Sequence, residues 1–483
     1  MAHTRIQKDS LPWIVFGGLL ISGLALRLYR LTYITIWVDE YQSIATIQAP
    51  WEQIIRGAYP RELHPPLYFM LLKVWTGISG ESELAMRLLS LLFSLGSMLL
   101  IHAIIRQLGG GWQAASAGLV LIAFHPTYVF MSIEVRMYGA LLFFTLAAFS
   151  AYLEYSKSSS GGRVWLCATS LACLAALYTH YLGILVPLGI AILSPIHFCK
   201  NRDRHRVDLF LALLISGILY LPGLVFVIFQ QVRIYLLAPN PVYEELFFRP
   251  DASIFLALLS GSGDLDFKLT NPLENISLLN VVIGILVLWH QQKARIASAI
   301  VVFLLLATLA ALGMGRAGIN LAPRYLTHVM VFALILGAFS LSPLTGWWKA
   351  ANLVGVVTIG LYIYTSVAQT TSHEYFSPDW RAIAAAIQEN SPPEEPVVVM
   401  GWDAKPIYFY LRNRRFMSSY ELEAELQIGP SHTSYLIVDT QFGQKPALLS
   451  KASTLIDIPE KQVRILRYLP GADMGIPGVQ APK

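Results

Sequence analysis

The sequence predicts a polytopic α-helical membrane protein of about eleven transmembrane helices, followed by a small C-terminal extracytoplasmic α/β domain. Three observations carry that expectation. The 483 residues are 55% hydrophobic and only 13% charged, whereas soluble domains carry roughly 25% charged residues. Apolar stretches approaching the length a helix needs to cross the bilayer core, about 20 residues, recur along the chain. From about Ser372 the composition shifts to short β-branched runs separated by polar and proline-containing segments.

The apolar stretches fall near 11–31, 84–106, 112–131, 137–155, 164–180, 182–198, 207–229, 273–290, 296–314, 324–343 and 351–371. The first follows Arg5 and Lys8 as a signal-peptide core would, but Arg27 and Arg30 stand where a small-residue cleavage site belongs. It therefore reads as an uncleaved span. The loop 32–83 holds a further apolar stretch, 66–79, which is short for a span. Basic loops decide its status. Lys200, Arg202, Arg204 and Arg206 form a dense cluster of the kind kept in the cytoplasm. Arg5/Lys8, Arg106, Lys157/Arg163, Lys293/Arg295 and Lys349 share its side only if 66–79 does not cross. The stretch then reads as an interfacial helix with its loop on the outer face. The N-terminus is expected in the cytoplasm, the C-terminal domain outside, and the membrane to be a plasma membrane, foremost a bacterial inner one. The domain division is 1–371 and 372–483.

In the second part, Pro378-Asp379-Trp380-Arg381 opens an amphipathic helix with Ile383 and Ile387 four apart, ended by Pro392-Pro393. Strands are expected at Val397–Met400, Tyr435–Val438 and Val463–Tyr468, with a helical turn around Ile407–Leu411. The Gly- and Pro-rich end reads as a tail.

Several functions are excluded or disfavoured. A net charge of +5 is small for this length and makes no case for nucleic acid. Cys167, Cys173 and Cys199 lie in or beside apolar segments, with neither metal-ligand spacing nor a disulfide framework. Gly109-Gly110-Gly111 lacks a phosphate-loop lysine and reads as a turn. Asp39, Glu40, Arg61, Glu62, His64, Glu134, Arg136, His180, Arg316 and Arg324 all fall at the outer ends of helices or in outer loops. An ion-coupled carrier or lipid flippase would place such groups along a path near the midplane. Chemistry at the outer membrane face is favoured over transport. A non-catalytic protein that binds a lipid-linked glycan is the other alternative.

The pair Asp39-Glu40 stands just after the first span, where two adjacent carboxylates repel each other and lose hydration. His64-Pro65-Pro66-Leu67-Tyr68 follows, then Met86-Arg87-Leu88-Leu89-Ser90 opening the second span. Glu134-Val135-Arg136-Met137-Tyr138-Gly139 and Tyr178-Thr179-His180-Tyr181 occupy successive outer turns. Together, over roughly residues 10–370, these motifs resemble the GT-C membrane glycosyltransferases of the protein-mannosyltransferase and aminoarabinose-transferase type. The resemblance implies a GT-C fold and an enzyme that takes a sugar from a polyprenyl-phosphate carrier. It implies transfer to a glycan, lipid or protein acceptor on the extracytoplasmic side, with inversion. In that family the first-loop aspartate is the base, here Asp39. The branch needs no cofactor. A divalent ion held by Asp39, Glu40, Glu134 and His180 is the alternative, as oxygen-rich sites with an imidazole bind Mn²⁺ or Mg²⁺.

The chemistry points the same way. Forming a glycosidic bond to a hydroxyl needs a base to take its proton, and a positioned carboxylate can do so. Inversion puts base and leaving group on opposite faces of the sugar. Charge growing on a phosphate leaving group calls for fixed donors. Arg324, Arg136 and His64 are the candidates, with Arg61 and Arg316 in reserve. Arg324 alternatively snorkels at a helix mouth, and Arg136 pairs with Glu134, which otherwise holds the acceptor. Tyr138 and Tyr325 either stack on a sugar or belong to the aromatic belt. His180 either contacts substrate or packs in a tight turn.

Overall fold

The computed structural model describes residues 2–31, 34–56, 64–158, 162–197, 203–237, 270–291, 293–316, 323–343, 349–371, 378–401, 404–418, 421–422, 434–440, 452–458 and 463–469. Its contacts divide the chain into two compact units. One comprises Met1–Thr32 and Ala45–Ser372; the other comprises Tyr33–Ile44 and His373–Lys483. The stretch Tyr33–Ile44, which by sequence opens the first outer loop, thus packs with the C-terminal residues.

The larger unit is a helical bundle. Helix α1 (Ala2–Leu31) is followed in the chain by α2 (Val38–Gln48), which begins in the smaller unit, and by the short α3 (Trp51–Ile55). Next come α4 (Leu67–Ser79), α5 (Glu83–Gln107), α6 (Trp112–Phe124), α7 (Pro126–Met131), α8 (Tyr138–Lys157), α9 (Arg163–Thr179), α10 (Leu185–His197) and α11 (Asp203–Leu237). Further helices occupy Thr270–His290, Ala294–Arg316, Thr327–Ala338 and Lys349–Thr371. Among the described residues, 8 helices are long and apolar enough to cross a membrane, and α6, α9 and α10 are shorter apolar helices within the other expected spans. The chain is an integral, multi-pass membrane protein.

Helix α4 has 13 residues, about 20 Å at 1.5 Å per residue, short of the roughly 30 Å hydrocarbon core. The span read from sequence as continuous over 112–131 is broken. Pro126 has no amide hydrogen and steers the preceding residue out of the helical region, and His125 sits at φ −71°, ψ 124°. The break lets the chain turn toward Glu134 and Arg136.

The bundle is held by close packing rather than by water-driven burial, as in lipid it must be. Phe303 and Phe332 stack at 4.2 Å, and Phe149 meets both rings edge-on. At Gly284 the helix backbone comes so near the Leu336 carbonyl that any Cβ would collide with it. Arg27, fully buried in α1, donates to the carbonyls of Ala123 (2.7 Å) and Ile122 (3.2 Å) at the end of α6, to Gly23 O and to Ser94 Oγ. It satisfies carbonyls that a helix C-terminus leaves open. Arg87 in α5 likewise donates to Leu31 O at 2.9 Å.

The smaller unit contains a five-stranded sheet among the described residues: β1 (Val397–Met400), β2 (Phe416–Ser418), β3 (Tyr435–Asp439), β4 (Ala452–Ile458) and β5 (Val463–Tyr468) in the order β2-β1-β3-β5-β4. β1 is parallel to β2 and β3; β5 is antiparallel to β3 and β4. Alternation along the strands sends Val397, Val399, Leu436 and Val438 to one face, where Trp380, Ile383 and Ile387 of the Trp380–Asn390 helix cover them. Val398, Met400, Ile437 and Leu466 form a second core on the other face. Asp379 caps that helix, its Oδ1 accepting from the Arg381 and Ala382 amides at 3.2 Å. Arg467 forks onto Glu395 with two 3.0 Å contacts.

Candidate functional site

In the larger unit, three helix-end motifs converge on one cluster, in which His64, Tyr138 and His180 are buried and Arg324 and Tyr325 half-buried. His64 comes from the turn before α4, His180 from the turn between α9 and α10, and Tyr325 from the 3₁₀ turn Pro323–Leu326. The His64 and His180 rings are 4.9 Å apart, and Tyr325 lies 5.9 Å from the first and 5.2 Å from the second. Tyr138, opening α8, stacks on Tyr325 at 6.0 Å and 25°. Arg324 donates Nε–H to the Tyr138 hydroxyl at 3.2 Å, and its guanidinium lies 6.0 Å from both tyrosine rings. The structure therefore brings together His64, Tyr138, His180, Arg324 and Tyr325.

The turn containing Glu134 and Arg136 is built by local bonds. The Arg136 amide donates to Glu134 O at 2.8 Å, and Ser90 Oγ of α5 donates to the same carbonyl at 2.5 Å. Tyr68 Oη and Ser90 Oγ are 3.4 Å apart, tying the turn to α4. Glu134 and Arg136 are both buried.

His180 is fully buried, and the fold specifies its tautomer. Its Nδ1 accepts the Leu182 amide at 3.0 Å, so the neutral ring carries its proton on Nε2, which has no hydrogen-bond partner among the described residues. Burial holds this imidazole well below its ordinary pKa, and His64, His328 and Arg136 push it the same way. The 3₁₀ turn that follows needs Gly183, where a Cβ would strike the Ala176 carbonyl.

Asp39 and Glu40 lie in the first turn of α2, within the smaller unit, where negative charge suits a helix N-terminus. Glu40 is 1% exposed and its Oε2 accepts the Trp37 amide at 3.3 Å, the reach of a capping-box glutamate back to the residue before the helix. Asp39 is half-buried. Arg61 lies outside the described residues. Arg316 ends its helix exposed.

Sequence reasoning missed Tyr181, His328, Ser90 and Tyr68 as parts of the site. Tyr181 packs 4.3 Å from His180 and stacks on His64 at 5.9 Å; His328 Nε2 lies 3.2 Å from Leu182 O. Tyr181, Ser90 and Tyr68 stand inside the motifs that located the site, and that adjacency was the available signal. His328 had none.

The same unit holds an apolar groove of about 610 Å³, lined by Leu67, Met70, Leu171, Leu174, Tyr178 and Pro222 with Arg56 among its polar groups. Leu67 opens α4 three residues beyond His64, and Tyr178 lies in the last turn of α9 two residues before His180.

Residues 63–226 match the family model of dolichyl-phosphate-mannose-protein mannosyltransferases. The apo oligosaccharyltransferase of Archaeoglobus fulgidus has a similar fold, with a TM-score of 0.55 at 11% identity over 86% of this chain and 65% of that one. Together these matches show that the chain has the fold of the GT-C membrane glycosyltransferases. Over nearly its whole length the chain is similar to ArnT from Cupriavidus metallidurans. The apo form gives a TM-score of 0.63 at 14% identity, covering 95% of this chain and 98% of that one. The form bound to undecaprenyl phosphate gives 0.60 at 15% identity, with 94% and 98% covered. A search of curated protein sequences returned no match.

Proposed function

We propose that the enzyme transfers a sugar from a polyprenyl-phosphate donor to an acceptor hydroxyl at the extracytoplasmic face, inverting the anomeric carbon. The observation that carries this is the convergence of His64, His180 and Arg324 with the tyrosine stack of Tyr138 and Tyr325. ArnT holding undecaprenyl phosphate supports the donor class.

In this reading Arg324, Arg136 and His64 receive the donor phosphate, and Arg61 extends the cationic set. A guanidinium matches phosphate geometry with two parallel hydrogen bonds. The Nε2–H of His180 adds a neutral donor, and Tyr138 and Tyr325 offer ring faces to the sugar. Glu134 orients the acceptor. Asp39 takes the acceptor proton as the new C–O bond forms and the bond from the anomeric carbon to the phosphate oxygen breaks; the polyprenyl phosphate leaves with that electron pair. Glu40 holds the helix start on which Asp39 sits. No metal ion takes part.

The test is turnover of a radiolabelled polyprenyl-phosphate sugar by the purified protein in nanodiscs with candidate acceptors. Product that appears with release of the lipid phosphate supports the reading. A protein that only moves the intact donor between leaflets, or only binds it, refutes it.

A further inference from the structure

The segment bearing Asp39 is anchored to the C-terminal residues at several points on both sides of the carboxylate. Before it, Arg381 Nη2 donates to Ile34 O at 2.9 Å, Thr35 Oγ1 donates to Pro378 O at 3.0 Å, and the Ile36 amide donates to the Tyr410 hydroxyl at 2.8 Å. After it, the Tyr41 ring packs 5.8 Å from that of Tyr408. Ile34, Thr35 and Ile36 are 7%, 2% and 0% exposed, so their backbone groups have little access to water as a substitute partner.

The anchors stand on rigid parts. Arg381 is in the first turn of the capped Trp380–Asn390 helix, whose Trp380 is fully buried against the sheet. Tyr408 and Tyr410 belong to the Ile407–Tyr410 turn, fastened through Ile407 to the same core. Between the anchors, the Glu40 carboxylate bonded to the Trp37 amide fixes where the helix begins. Only two residues separate Ile36 from Asp39, so a shift at the Tyr410 contact is delivered to the carboxylate almost undiminished.

We propose that the C-terminal α/β domain is the mount of the catalytic carboxylate, with Arg381 and Tyr410 as positioning residues that set where Asp39 stands. This rests on the reading of Asp39 as the base. The domain then belongs to the reaction itself, and its contribution is geometric: a base displaced by about 1 Å loses on the order of 10²-fold in rate.

The experiment measures kcat, donor KM and thermal stability in nanodiscs for Tyr410→Phe, Arg381→Met, Asp39→Asn and the double variant Asp39→Asn/Tyr410→Phe. Arg467→Gln, which breaks the ion pair to Glu395 elsewhere in the domain, controls for loss of stability alone. Tyr410→Phe and Arg381→Met should each lower kcat by about 10- to 100-fold with donor KM unchanged. Adding Tyr410→Phe to Asp39→Asn should cost nothing more, because the group being positioned is already disabled. Arg467→Gln should lower the melting temperature and leave kcat in place. Wild-type kcat in both positioning variants, with Asp39→Asn inactive, overturns the mount alone. So does a Tyr410→Phe loss that persists in full on top of Asp39→Asn, or one that Arg467→Gln reproduces. Full turnover by Asp39→Asn overturns the base and the mount together.

Discussion

Replacing Arg324 with alanine separates a phosphate-binding arginine from one that only snorkels. In the folded protein the side chain donates to a neutral acceptor, the Tyr138 hydroxyl, at 3.2 Å, and its guanidinium lies 6.0 Å from the Tyr138 and Tyr325 rings, the outer limit for a cation–π attraction. The bond contributes about 1.5–3 kcal/mol at most, and less for a partly exposed group at this length. Against a donor phosphate the same guanidinium forms two charge-assisted hydrogen bonds, about 1.5–3 kcal/mol each. Their loss corresponds to about 10²- to 10⁴-fold, since every 1.4 kcal/mol is tenfold. Arg324→Ala should therefore lower kcat/KM for the donor by that range while the melting temperature moves only a few degrees. Arg324→Lys should recover part of it, as a point charge without the fork. The assay is steady-state turnover over a range of donor concentrations, with thermal unfolding of the same preparations. Unchanged kcat/KM in a well-folded Arg324→Ala protein would remove Arg324 from the phosphate site.

Other outcomes follow from the same geometry. His180 is held neutral by burial, so its folded pKa lies below the unfolded value near 6.5. Its contribution to stability is present above that value and lost as pH falls through and below it, because the unfolded chain takes up the proton first. The melting temperature should fall more steeply below about pH 6.5 in the wild type than in His180→Gln; parallel curves would show that other groups dominate. Gly183→Ala, forcing a methyl group into the Ala176 carbonyl, should cost about 1–3 kcal/mol of stability and weaken donor use by displacing His180; a neutral effect on both would contradict the tight turn. A reporter active only outside the cytoplasm should work when fused after Ser372 and fail when fused after Arg204, and the reverse pattern would invert the proposed orientation.

Much of the site was legible because it is assembled from short motifs at helix ends, where a histidine, an arginine or a tyrosine has to be placed against the apolar background. His64, Tyr138, His180, Arg324 and Tyr325 were all visible in this way. His328 was not, since a lone histidine inside an apolar helix has no pattern to mark it. Arg27 was read from sequence only as a barrier to signal cleavage; that it caps the end of α6 is a long-range contact with no local trace. In the C-terminal domain, β1, β3 and β5 announce themselves as runs of Val, Ile and Leu. β2 is only three residues long beside Arg414 and Arg415, and β4 carries Ser453, Thr454 and Asp457, so both owe their extended form to pairing rather than to composition. The docking of residues 33–44 on that domain depends on groups more than 340 positions away, such as the Pro378 carbonyl and the Arg381 guanidinium, and no local reading reaches it.

The central claim is that Asp39 is the general base, and Asp39→Asn tests it most directly. The substitution keeps the side chain's shape and most of its hydrogen bonds but removes its capacity to accept a proton. General-base catalysis accounts for about 10²–10⁴ in rate, so turnover should fall at least that far. Donor affinity should survive, because the proposed phosphate contacts come from Arg324, Arg136 and His64. Glu40→Gln, measured beside it, should lose less, since its carboxylate serves the Trp37 amide at the helix start. Near-full turnover in Asp39→Asn together with a dead Glu40→Gln would transfer the role to Glu40, and activity in both would leave the acid pair with no part in catalysis.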